Sequence, residues 1–379
     1  MKRIRYLSQY LCILSLIIIA FPAGFAAILP QQFSIYCLVI GMSLTLYYII
    51  YYYINGKYQL SRIIKCIFLI CILVIISTLI NKQDILRALK LCYQLIFSII
   101  WSDVFLKKDF DGTLSILAKY GKISIVLNFI LTIILPQGIF IDEQYHVYAF
   151  LNNINNMEIY WIPFIAFWIL DAKKRHKNVF FELCLASVMV YYSCVVYKCT
   201  TGIVILIVMF IGSVWILYFE QIYAKVSIWI WVCSFGIAIV FFAFIGVKVF
   251  PFLEELWTLV QRFTLWGKSI EMILEHPIIG YGIGTSDEIV VYNQWRNYSP
   301  HNQFLIIALW GGLPLLLSFV IFIVRTTAAS FKIKSKMLQL FRLYLVLFVV
   351  YYCLEMTFNM GLFVIFVMVI YSCSECRKN

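Results

Sequence analysis

His301 is the side chain in this sequence best suited to move a proton, and the cations best suited to hold an anion stand near it in the chain. The stretch from Pro251 to Gly312 is the one long segment too polar to lie in lipid. It carries Arg262, Lys268, Arg296 and His301, with His276-Pro-Ile-Ile-Gly280-Tyr281-Gly282-Ile-Gly284 in its middle. Ser299 and Pro300 read as a helix opening, a hydroxyl at the N-cap and a proline at the first helical position. His301 is then expected in the first turn of the next helix. Free N–H groups and the positive end of the helix dipole suit an anion there. The same field favours a neutral imidazole, able to accept a proton. The plain alternative is an interfacial histidine with its polar tip in water.

Arginine grips phosphate with a planar fork and needs no metal to do so. Arg262 and Arg296 flank His301 with Lys268 between them, and Arg87 and Lys198 lie near the ends of other apolar runs. Snorkelling of long side chains explains some of these cations; a bound phosphate explains the group better. Gly280-Tyr281-Gly282-Ile-Gly284 is no nucleotide loop, because no Lys-Ser/Thr follows it and no buried strand precedes it. A tight turn is the simpler use of these glycines; close approach of a bulky headgroup to bare backbone is the functional reading.

The elements that must position these residues are membrane helices. A hydrophobic fraction of 64%, a mean hydropathy of +0.94 and only 13% charged residues exclude a soluble domain. The fold class is an all-α integral membrane protein in one polytopic domain, residues 1–379. Apolar runs fall at about 7–29, 33–54, 63–80, 87–106, 119–135, 157–170, 179–197, 201–219, 226–250, 303–324, 337–353 and 356–373. They predict about 12 transmembrane helices. The sixth run is short for a span. The N-terminus imitates a signal peptide, with Ala23-Gly-Phe-Ala-Ala27 resembling a cleavage site, but the apolar runs that follow favour an uncleaved first helix.

Lysines and arginines sort between alternate gaps as 21 against 8, with Arg342 inside a run. The rich side is cytoplasmic by the positive-inside rule, which puts both termini inside. The net charge of +12 is therefore a topology signal and does not argue for nucleic acid. Two loops emerge on the outer face: 136–156, with Asp142, Glu143 and His146, and the large loop 251–302 between helices 9 and 10. Within it, apolar residues at 3–4 spacing from Leu253 to Leu274 predict an amphipathic helix at the interface, with Trp257 and Trp266 as anchors, stopped by Pro277 and Gly280. The 12 cysteines lie mostly in apolar runs, where they act as small hydrophobes, and Cys373 and Cys376 form a lone CxxC. Four widely separated histidines and no carboxylate-rich motif leave little to hold a metal.

At Arg262-Phe-Thr-Leu-Trp266, His276-Pro277-Ile-Ile-Gly280-Tyr281-Gly282, His301-Asn302-Gln-Phe-Leu305 and Gly311-Gly312-Leu313-Pro314, the chain resembles the O-antigen polymerase and O-antigen ligase family. The resemblance implies a GT-C-like membrane glycosyltransferase of the bacterial cytoplasmic membrane. Its substrate would be an undecaprenyl-pyrophosphate-linked oligosaccharide, passed to a hydroxyl at the outer face with neither cofactor nor metal. In that reading His301 is the general base and Arg262 stabilises the departing pyrophosphate. Arg87, Lys198, Arg296, Lys268, Gly280, Tyr281, Gly282 and Asn302 bind substrate. Lys198-Cys-Thr200-Thr201-Gly202 stands where the family has a basic residue before a span, with the cation displaced from its usual place. Membrane lipid, a chain-length regulator and a flippase are the implied partners.

Polymerase and ligase differ in acceptor, another lipid-linked repeat unit or lipid A core, and a short chain with a compact outer loop favours polymerase. A transporter or flippase of the lipid-linked unit is the alternative from another class. No repeat between the halves and no paired interrupted helices support it.

Overall fold

A computed structural model describes residues 13–30, scattered positions from 32 to 50, and residues 62–142, 147–218, 257–284, 290–293, 296–328, 330, 335–356 and 360–375. Helices α1 Ala23–Ala27, α2 Arg62–Ile80, α3 Ile85–Lys108, α4 Phe110–Ile134, α5 Glu158–Lys174, α6 Val179–Val196 and α7 Thr200–Tyr218 fill the first part. Helices α8 Trp257–Glu275, α9 Gln303–Ala328, α10 Lys336–Leu354 and α11 Met360–Glu375 complete the chain. The only strands among the described residues are two antiparallel pairs. One joins β1 Phe140–Ile141 to β2 Val147–Tyr148, the other β3 Val290–Asn293 to β4 Arg296–Tyr298.

Short polar side chains start the helices where the apolar runs begin. Asp84 Oδ1 accepts the N–H groups of Leu86 and Arg87 at 3.0 and 3.1 Å, Asp109 that of Gly112 at 2.9 Å, and Asn178 that of Phe181 at 3.1 Å. Seven described helices (α2, α3, α4, α6, α7, α9 and α10) are long and apolar enough to span a membrane. The count of twelve spans also needs residues 1–12, 51–61 and 219–256, which lie outside the described residues, as do Glu143 and His146.

α5 and α11 form the centre. Ile159–Ile169 and Leu362–Ile370 are buried throughout, whereas α2, α4, α6 and α7 leave Ile72, Ile133, Val188 and Ile211 exposed, as an outer ring in lipid must. This explains the short sixth run. α5 has 17 residues, about 25 Å at the helical rise, which is under the ~30 Å of a bilayer core. Being enclosed by α4, α6, α10 and α11, it does not have to match the lipid thickness itself.

Two of the gaps assigned to the cytoplasmic side, 107–122 and 173–177, meet at one end. There Lys174 pairs with Asp111 and Arg175 with Asp171 at 2.7 Å. Glu182 takes Trp168 Nε1 at 2.7 Å, with Lys122 and Lys177 at 3.6 and 3.7 Å. The gaps assigned to the outer side meet at the opposite end, where the following contacts occur.

α9 is interrupted there. Gly311 and Gly312 leave helical geometry, Gly312 at φ +70°, roughly 12 Å below the helix start at about 1.5 Å per residue. Non-helical backbone at such depth survives only where protein satisfies it, and residues 277–283 do so. Tyr281 N–H donates to Leu309 O at 2.7 Å, Gly282 N–H to Trp310 O at 2.9 Å, and Leu313 N–H to Pro277 O at 2.7 Å. From α2, Ser77 Oγ lies 2.6 Å from Ile279 O and 2.5 Å from Trp310 O, and Asn81 Nδ2 donates to Gly280 O at 3.1 Å. A Cβ on Gly280, at φ +68°, would stand 2.5 Å from Leu309 O; one on Gly312 would stand 2.5 Å from Pro277 O. Gly280→Ala and Gly312→Ala are expected to lower the thermal midpoint of the detergent-purified protein, since the left-handed backbone alone costs an L-residue about 1–2 kcal/mol. Gly138→Ala at the β1 hairpin, also left-handed at φ +93° but beside the Val147 side chain, should cost less in the same measurement.

Candidate functional site

Three side chains from three separate segments meet at the outer end. Glu355, immediately after α10, presents its two carboxylate oxygens to opposite partners. Oε1 accepts Arg262 Nη2 from α8, and Oε2 lies 3.1 Å from His301 Nδ1, just before α9. Arg262 Nη1 also donates to Leu354 O at 2.8 Å, so the guanidinium caps the C-terminus of α10 as well. The Glu355 side chain is 7% exposed, Arg262 23% and His301 45%. The carboxylate is sealed from water while both of its partners reach the surface. A carboxylate can only accept, so it fixes the imidazole proton on Nδ1 and leaves the Nε2 lone pair for another molecule.

Each segment is held by its own contacts. α8 buries Phe263, Trp266, Ser269 and Ile273 and exposes Thr264, Lys268 and Glu271, much as the 3–4 spacing predicts, but Leu274, placed at the end of the apolar stripe, is 68% exposed. Trp266 corrects one expectation. It is no membrane anchor but is buried, and its Nε1 donates to Pro300 O at 2.8 Å, tying α8 to the residue before the histidine. The side chain of Trp257 and residues 251–256 lie outside the described residues.

A second correction concerns the helix opening. The N-cap of α9 is not Ser299 but Asn302, whose Oδ1 accepts the N–H groups of Phe304 and Leu305 at 3.0 and 3.1 Å. Asn302 is fully buried and outcompetes Ser299 because its Nδ2 also donates to Cys353 O at 2.9 Å, anchoring it to α10. His301 therefore precedes the helix, at φ +47°, a left-handed conformation sparsely populated by residues with a Cβ. Such outliers persist where the surroundings over-determine them, commonly at functional sites. The Ser299 hydroxyl lies 3.3 Å from His301 N–H, in the turn that aims the imidazole at Glu355.

The structure brings His301 and Arg262 together and gives the other predicted residues separate surroundings. Asn302 is occupied entirely by backbone partners. Gly280, Tyr281 and Gly282 belong to the segment that fills the α9 interruption. Tyr281 Oη donates to Glu275 Oε2 at 3.1 Å, and burial followed by that carboxylate pushes the phenol up to about 12, so it remains a donor. Arg87 donates from Nη1 to Gly284 O at 3.2 Å, next to this segment. Lys268 pairs with Glu271 at 3.1 Å on the exposed face of α8. Arg296 is in β4, and its side chain lies outside the described residues.

Lys198 is exposed at φ +55° in the turn between α6 and α7. The next residue, Cys199, donates from Sγ to Glu158 Oε1 at 3.1 Å; its hydrogen bond with Cys194 and its burial push the thiol up, so it stays a neutral donor. Glu158 is fully buried at the start of α5. Among the described residues, no three His, Cys, Asp or Glu side chains converge on a metal position.

Glu355 was not among the residues singled out from the sequence. Its signal was a carboxylate in the short break between the apolar runs 337–353 and 356–373, on the same side as His301 by the charge alternation. Glu158 carried a fainter one, a carboxylate at the edge of the shortest run.

A bundle whose inner helices are shielded by the outer ones, with a His–Glu–Arg cluster at one end, defines a multi-pass membrane protein. Residues 183–320, a little over a third of the chain, match the family model described as O-antigen ligase, so this segment is similar to that family. The match runs from α6 into α9, including Lys198, Arg262 and His301 and stopping before Glu355. No curated protein matches the chain.

Because every Asn302 side-chain bond serves the backbone, Asn302→Ala should cost about 1–2 kcal/mol of stability. Asn302→Asp, which keeps the cap and loses the donor to Cys353, should fall between the two in the thermal midpoint of the purified protein.

Proposed function

We propose that this protein polymerises polyprenyl-pyrophosphate-linked oligosaccharide repeat units at the outer face of the bacterial cytoplasmic membrane. The observation that carries the reading is His301 held at Nδ1 by Glu355, its side chain 45% exposed, with a partly exposed arginine on the same carboxylate. The acceptor sugar hydroxyl loses its proton to His301 Nε2 while its oxygen forms the new bond to the anomeric carbon of the donor glycan. The bond from that carbon to the phosphate oxygen breaks, and its electron pair leaves with the lipid pyrophosphate. Arg262 faces the developing charge. His301 then returns its proton to solvent.

The same chemistry serves a ligase, whose acceptor is lipid A core, and the matched family model carries that description. The compact outer loop favours polymerase. The transporter reading gains nothing from α9, whose interruption is filled by residues 277–283.

His301→Ala should abolish long-chain polysaccharide, a loss of about 10²–10⁴-fold in rate, while the protein still inserts and accumulates. Arg262→Lys keeps the charge, loses the fork and should be severely impaired. Normal chain length on a gel of surface polysaccharide from either mutant would exclude the assigned role. In a deletion strain, one repeat unit attached to core identifies a polymerase, whereas unattached long chains identify a ligase.

A further inference from the structure

We infer that Glu355 is a positioning residue shared by base and cation, and that the donor's pyrophosphate transfers it from Arg262 to His301. The inference rests on the proposed glycosyl transfer. In the substrate-free arrangement Arg262 is committed: Nη1 to Leu354 O at 2.8 Å and Nη2 to Glu355 Oε1. Its charge is already paired with a carboxylate that is only 7% exposed. A pyrophosphate that engages the Nη2 edge of Arg262 therefore competes with Glu355 for it. It is equipped to do so, since it carries more charge and more acceptor oxygens than a carboxylate and matches the same planar donor geometry.

Release of Oε1 changes what Glu355 does at Oε2. With Arg262 bound, the carboxylate divides its field between a permanent cation and the imidazole. With Arg262 turned to phosphate, His301 is the partner left to it. The carboxylate then lies 3.1 Å from the ring nitrogen that bears the proton and stabilises the imidazolium that forms when the acceptor hydroxyl gives up its hydrogen. The base is thus strengthened when the donor is seated, which couples proton removal from the acceptor to the presence of the leaving group. Coupling of this kind is reciprocal: whatever weakens Glu355 as a competitor must strengthen pyrophosphate binding.

That reciprocity supplies a test a merely structural carboxylate would fail. The full-length protein is purified and assayed with its lipid-linked donor, using inorganic pyrophosphate as competitive inhibitor. Glu355→Gln keeps the side-chain shape but cannot compete for Arg262 as an anion. Its inhibition constant for pyrophosphate should fall by at least about threefold while kcat falls about 10²-fold or more. Glu355→Asp keeps the charge on a shorter arm, so it should also bind pyrophosphate more tightly than wild type yet recover much of the kcat lost in the glutamine variant. Should Glu355→Gln fail to stay monodisperse, the aspartate variant carries the same comparison.

Unchanged or weaker pyrophosphate inhibition in the folded variant, or a kcat within about threefold of wild type in Glu355→Gln, overturns the inference. The proposed function fails separately: it falls, and the inference with it, if wild-type protein is not inhibited by pyrophosphate or if Arg262→Lys is inhibited equally well.

Discussion

Taking a carboxylate out of water carries a penalty of several kcal/mol unless charge and hydrogen bonds replace its hydration, and removing one partner of such a pair costs about 3–5 kcal/mol. Glu355 meets that requirement with one cation and one imidazole, drawn from segments about 90 residues before it and about 50 before it in the chain. The demand of one buried group thus fixes the end of α10, the rotation of α8 and the approach to α9. Trp266 bonded to Pro300 and Asn302 bonded to Cys353 reinforce the same three-way junction from either side. The left-handed backbone at His301 is the strained element that this junction holds in place.

A second constraint comes from lipid, which offers no hydrogen bonds to an interrupted helix. The break at Gly311 and Gly312 exposes carbonyls and an N–H group that must be paired, and the Pro277–Ile283 segment pairs them while leaning on α2 through Ser77, Thr78 and Asn81. The glycines of this segment are required by the closeness of two backbones. The Arg262–Glu355–His301 junction and the filled break are linked through α8, which ends one residue before His276 and leads into the filling segment. Local rigidity at the break is therefore transmitted to the helix that carries Arg262.

Much of the fold was legible in the residues. Apolar runs at 63–80, 179–197 and 337–353 became helices with nearly those bounds because a membrane span requires a long uninterrupted apolar segment, and little competes with that signal. The charge alternation likewise foretold which gaps meet: Asp111, Lys174 and Glu182 at one end, Glu355 and His301 at the other. The α8 stripe was readable from its spacing. The helix start at 299–303 was not, since Ser299 and Asn302 are both good caps and the choice fell to the Cys353 carbonyl, a partner 51 residues away.

His301 and Arg262 were recognisable as chemistry-bearing residues because a histidine and an arginine on the cation-poor side of a membrane protein stand out by type and place alone. Residue type could not supply their connection. Glu355 sits in a break between two apolar runs, and nothing near it in sequence foretells either partner. Folding turns the ends of α8 and α10 and the start of α9 toward one point, and there the low polarity makes a lone carboxylate seek both a cation and a donor. The composition and the order of polar and apolar residues settled that this is an all-α membrane bundle. Three-dimensional packing settled which side chains share a proton and a charge, because burial, which sets the strength of those interactions, exists only once distant segments have met.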